Sequence, residues 1–215
     1  MLPQVVTKVL TAADDDNICL SQTPSGAGNL IIAGAAASGG VASLDTQRVV
    51  LITTASDEGG KTLTVYGTNQ SGDAVQQTIT GPNATTGSTT INFKTVTRVA
   101  VSAAFTGAVR VGTSGVGASE WVMANFNITP FSYAWSAVLG GTANVTVQYT
   151  LDNVNTIASG TAPTVWPVAT SAPTSLSGAS SSATGSISTP FYAWRLLINS
   201  GTASVTVTGI QAGIV

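Results

Sequence analysis

The chain has 215 residues, 43% of them apolar but only 7% charged, where roughly 25% charged is usual for a globular protein. That length can bury a full hydrophobic core in one large domain or two small ones. A formal charge of −2 with only seven cations, scattered along the chain, excludes a phosphate-neutralising surface and generic nucleic-acid binding.

Residues 1–28 are expected to form an N-terminal arm: a short apolar stretch with Val5, Val6, Val9 and Leu10, then the acidic run Asp14, Asp15 and Asp16. Met1 to Leu10 lacks the contiguous apolar core of an export signal, and the weakly polar run Leu30 to Val41 is full of Gly, Ala and Ser, so no export signal or membrane span is expected. Cys19 is the one cysteine, which rules out a disulfide framework and suits a reducing cytoplasm. Three adjacent acids are expected to point different ways, and the spaced pattern of a calcium loop is absent. A solvated arm without metal is the expectation there.

Residues 29–112 read as a β-domain. Leu30–Ala33, Arg48–Thr54, Thr62–Thr68, Ala74–Thr80, Val96–Ala103 and Ala108–Gly112 are short runs rich in Val, Ile, Thr and aromatics, separated by turn signals at 57–60, 69–73, 81–83 and 106–107. In the run from Thr62, Leu63 and Val65 alternate with Thr62, Thr64 and Tyr66, so one face is core and the other solvent. The segment 55–62, Ala-Ser-Asp-Glu-Gly-Gly-Lys-Thr, loosely matches a phosphate-binding loop. A strand follows where such a loop needs a helix, and Asp57 and Glu58 would repel the anion, so a hairpin turn is expected.

The stretch 112–119 carries three glycines and no strand pattern, which predicts a linker over residues 113–119. Residues 120–215 are expected to form a second β-domain with an internal duplication: Thr-Pro-Phe-Ser-Tyr-Ala-Trp from Thr129 is echoed by Thr-Pro-Phe-Tyr-Ala-Trp from Thr189, and Gly-Thr-Ala-Asn-Val-Thr-Val from Gly141 by Gly-Thr-Ala-Ser-Val-Thr-Val from Gly201. The copies, 129–153 and 189–213, read as two equivalent hairpins. Residues 154–188 between them are uncharged and read as a surface excursion anchored by Val165, Trp166 and Val168. The fold class expected is therefore all-β, a jelly-roll-like β-sandwich in two domains.

Candidates for chemistry are few. The chain has no histidine, which removes the usual base of nucleophilic hydrolysis and the commonest transition-metal ligand. Glu120 and Asp152 are a conceivable glycosidase pair, but nothing in the sequence fixes their separation. Of the four tryptophans, Trp135 and Trp194 occupy equivalent duplicated positions and are expected in the core. Trp121 and Trp166 are expected to anchor an interface or stack on a ligand such as a glycan. No catalytic residue, metal or cofactor is expected.

Four stretches, Arg48–Thr53, Thr62–Thr68, Thr78–Asn83 (Thr-Ile-Thr-Gly-Pro-Asn) and Phe93–Val99 (Phe-Lys-Thr-Val-Thr-Arg-Val), together resemble a type of small virion protein found in tailed bacteriophages. Val147–Asp152 and Ile210–Gly213 carry the likeness into the second half. The resemblance implies a structural protein of the phage particle: a decoration (cement) protein on the capsid, or a neck, tail or fibre component. Its implied partners are the major capsid protein or other virion proteins; for a decoration protein assembled in the host cytoplasm, self-association as a homotrimer is expected as well. The candidate interface comprises Val5, Val6, Val9, Leu10, Trp121, Val165, Trp166 and Val168.

Overall fold

A computed structural model of the chain describes residues 3–156, 161–168 and 175–214, with side chains to Ala212. Residues 157–160 and 169–174 of the predicted excursion lie outside these. Among the described residues all regular structure is β, in antiparallel sheets that pack against each other as a β-sandwich fold. No helix among them is long and apolar enough to cross a membrane.

The chain divides into two compact units. Residues 12–114 make up almost all of the inserted unit, and residues 3–11, 115–156 and 162–214 build the terminal unit. The strands in chain order are β1 (Gln4–Lys8), β2 (Asp14–Gln22), β3 (Gly28–Asn29), β4 (Ala37–Ser38), β5 (Val41–Thr54), β6 (Thr62–Thr68), β7 (Ala74–Thr80) and β8 (Thr86–Val101). They continue with β9 (Val109–Ala118), β10 (Val122–Met123), β11 (Thr129–Leu139), β12 (Ala143–Thr150), β13 (Trp166–Pro167), β14 (Ala183–Ile187), β15 (Ala193–Gly201) and β16 (Val205–Ile214).

In the inserted unit β5, β8, β6 and β7 are antiparallel neighbours in that order, while β2 pairs with the first part of β9. The alternation read in β6 is realised: Leu63 and Val65 are buried and Thr64 and Tyr66 face outward. The outward threonines bond across strands, as Thr64 does to Thr78 at 2.8 Å, and the Arg98 guanidinium lies 3.7 Å from the centre of the Tyr66 ring. Gly67 is required where β6 meets β8, because a Cβ there would sit 1.8 Å from the Thr95 carbonyl oxygen. The core is aliphatic, with Ile18, Val50, Ile52, Leu63, Val65, Val99, Val109 and Val111 around Phe93.

Three local readings are corrected here. Leu30–Ala33 is not a strand, although Leu30 and Ile32 are buried; the apolar residues are used as loop anchors. Residues 113–119 are no linker, since β9 runs through them to Ala118 and the boundary between the units falls inside that strand. Small residues there pack closely instead of flexing: Thr113, Gly117, Ala118 and Ser119 are buried. Nor is the start of the chain a free arm, because β1 pairs with β16 over five residues and β2 with β9.

The terminal unit has one sheet in the order β1, β16, β11, β14. Facing it are β13, β12 and β15, with β10 and the end of β9 also on β15. The duplication is present as two two-strand copies, but the strands of each copy part into opposite sheets. β11 pairs with β16 and β15 with β12, so the first strand of each copy takes the second strand of the other as its partner. In this arrangement the two aromatic strands face each other across the core. Trp135 of β11 and Trp194 of β15 lie 6.1 Å apart edge to face, Tyr133 stacks on Trp135 at 4.6 Å, and Phe191 packs on Tyr133 at 5.3 Å. The Trp194 Nε1–H donates to Tyr133 Oη at 2.7 Å, and the Tyr133 hydroxyl donates to Gln4 Oε1 at 2.5 Å. Gly209 leaves room for this cluster, since a Cβ there would come within 3 Å of both the Tyr133 and Trp194 rings. Parts of the predicted excursion are woven in as sheet edges, β13 on β12 and β14 on β11, with Leu176 fully buried.

Candidate docking surfaces

The eight candidate interface residues separate by strand geometry. In β1 successive side chains alternate, so Val6 is buried in the aromatic core and Val5 (60% exposed) faces outward; just past the strand Leu10 is buried in the same core and Val9 is 53% exposed. Val6 and Leu10 are therefore core residues, not docking residues. Val168 is also core: its N–H donates to the Val147 carbonyl at 2.8 Å, which draws it into the sandwich. Val165 is half-buried. Trp166 is 38% exposed and stacks on Tyr149 with ring centres 5.9 Å apart. Trp121 is half-buried, and the Arg195 guanidinium lies 4.6 Å from the centre of its ring, so that face is already taken.

Outward-facing residues missed in the sequence complete the surface. Across β1, β16 and β11 the outer face of the first sheet carries Val5 beside Thr208 and Ser136, and Thr7 beside Thr206 and Val138. Val138 is 53% exposed and Ile210 49%. The signal was present, because Ser132, Ala134, Ser136 and Val138 alternate with the inward Tyr133, Trp135 and Ala137. A second exposed cluster lies in the terminal unit, where Phe126 stacks on Tyr192 at 5.9 Å near exposed Met123 in sequence.

The terminal unit holds only four charged residues, Lys8, Glu120, Asp152 and Arg195, and each is engaged internally. Lys8 Nζ meets Glu120 Oε2 at 2.8 Å. Arg195 Nε–H donates to Gln148 Oε1 at 2.9 Å, and burial pulls the Arg195 pKa down to about 10, leaving it charged at neutral pH. Asp152 accepts the Thr164 N–H at 2.6 Å. Glu120 and Asp152 thus have separate structural duties. Burial pushes the Glu120 carboxyl up, but the hydrogen bond and charge of Lys8 outweigh it and hold the carboxyl below its usual value, the wrong direction for a general acid.

In the inserted unit, the segment that mimics a phosphate loop binds its own carboxylate. Glu58 is fully buried and accepts N–H bonds from Thr106 and Gly107, both at 2.8 Å, while Lys61 Nζ caps its other oxygen. Burial raises its pKa, yet the Lys61 contact and the two backbone donors pull harder, so Glu58 lies below the ordinary glutamate value. The acidic run departs from expectation: the carboxylates of Asp14, Asp15 and Asp16 lie within 4.8 Å of one another. An irregular register in β2 between Asp14 and Cys19 lets adjacent residues converge. Arg110 Nη2 meets Asp15 Oδ2 at 3.0 Å. Cys19 is buried, which pushes its thiol pKa up to about 12 and makes it unreactive.

No family model, no curated protein and no solved structure matches the chain.

Proposed function

We propose that the chain is a non-enzymatic structural protein of a bacteriophage particle, a decoration protein that binds the capsid surface in many copies and reinforces it. The observation that carries this reading is the electrically silent terminal unit. A free, concentrated monomer relies on surface charge to stay apart from its neighbours, and here every charge of that unit is turned to internal use while Val5, Val9, Phe126, Val138, Leu151, Trp166 and Ile210 remain exposed. Such a surface favours being covered. The phage assignment rests on the resemblance at Arg48–Thr53, Thr62–Thr68, Thr78–Asn83 and Phe93–Val99. Burial of many weakly adhesive neutral contacts, repeated over a symmetric shell, would resist internal pressure collectively.

A second reading, a neck, tail or fibre module that recognises host glycan, is favoured by one observation, the exposed Trp166 stacked on Tyr149. The copy number in purified particles of the phage encoding the chain separates the two. Decoration predicts hundreds of copies; a few to a few dozen would favour the second reading, and none would contradict both. For the glycan reading, Trp166→Ala should abolish binding to host polysaccharide.

A further inference from the structure

We infer that the outer face of the β1, β16, β11, β14 sheet is the contact between two copies of this chain, packed face to face about a two-fold axis. The face is a pleated surface of uncharged side chains, with Val5, Val138 and Ile210 exposed around Thr206, Thr208 and Ser136. Thr7 and Thr206 hydroxyls bond to each other at 3.0 Å, which satisfies them locally and leaves their methyl groups to the surface. No charged side chain points outward on it: Lys8, the one charged residue in its four strands, is turned toward Glu120.

A partner with a charged surface would have to strip water from those charges without finding counter-charges here, at a cost of several kcal/mol per ion. An identical face meets the requirement, because it brings no charge and the same neutral relief of Val, Ile, Thr and Ser. Two such sheets pack about 10 Å apart with strands near 30° to one another. The area is adequate. Strands of 5, 10, 11 and 5 residues present about 500 Å² in projection at a strand spacing near 4.8 Å, so two faces bury about 1,000 Å², the lower bound for a specific pair. An isologous contact closes on itself and gives a dimer, in place of the trimer expected from sequence. The inference stands on the chemistry of this face and not on the virion reading, so particle copy number and solution mass fail independently.

Sedimentation equilibrium of the full chain at tens of micromolar tests it. The expected mass is twice 21.5 kDa, falling to the monomer in V138K/I210K with tryptophan fluorescence unchanged, and remaining dimeric in Leu20→Lys, an exposed position in the inserted unit. Should the double variant not fold, Val138→Cys supplies a second readout. Cys19 is buried, so a short bis-maleimide joins only the introduced thiols, and a cross-linked pair is expected. A wild-type monomer, a trimer, a dimer indifferent to the lysines, or a Val138→Cys chain that yields no cross-linked pair overturns the inference.

Discussion

Both units are built of antiparallel β-strands, and they differ in how they use charge. The inserted unit carries twelve of the sixteen charged residues and places two of them, Arg48 and Glu58, inside. Its core is aliphatic around Phe93. The terminal unit has four charges and gathers all four tryptophans, two of them at the centre of an aromatic cluster. Fold class therefore does not dictate surface chemistry: one unit keeps charged residues on its exterior, and the other presents Thr, Ser, Val and Ile. Because every tryptophan belongs to the terminal unit, tryptophan fluorescence reports on that unit alone, and the two can be perturbed and read separately.

The largest expected effect comes from the aromatic core. Trp194→Ala removes the ring that faces Trp135 and leaves Tyr133 without its indole donor, and should cost about 4 kcal/mol, seen as an early fluorescence transition in chemical denaturation. Next is the buried carboxylate. Glu58→Gln keeps the shape but strips the charge that Lys61 and two N–H groups point at, and should cost about 3 kcal/mol, read by far-ultraviolet circular dichroism with little change in the fluorescence transition.

Acid should act on the same site. The Glu58 pKa is lowered in the folded protein, so its stabilisation is complete above the unfolded value near 4.5 and is lost as the pH falls through the lowered folded value. Glu120 is lowered too, but it is 42% exposed and its pair with Lys8 is screened. Glu120→Gln should cost only about 0.5 kcal/mol. An equal loss from Glu58→Gln and Glu120→Gln would break the contrast between a charge used inside one unit and a charge parked at the edge of the other.

Local alternation and turn chemistry carried most of the fold. β6 and β7 match their predicted runs residue for residue, and the turn at 69–73 forms because Asn69 Oδ1 accepts the N–H groups of Ser71 and Asp73. Pairing was not readable. The repeat around Trp135 and Trp194 fixed two similar strand pairs, but which strand each joins depends on aromatic packing across the core, a non-local matter. The second part of β9, beyond Gly112, was hidden because Gly and Ser pack there by closeness to neighbours, which composition reports as flexibility. For the surface, the apolar residues at the start of the chain were visible, but the register that turns Val5 out and Val6 in comes from pairing with β16.

The central claim is that the neutral surface of the terminal unit is covered in the working assembly. Hydroxyl-radical footprinting of purified particles, compared with the isolated chain, tests it most directly at Met123, Phe126, Leu151 and Trp166, exposed positions outside the proposed dimer face, with Leu20 and Ile31 of the inserted unit as reference. Strong protection at the first group and unchanged oxidation at the second are expected. Equal oxidation of the first group in particle and isolated chain would contradict it.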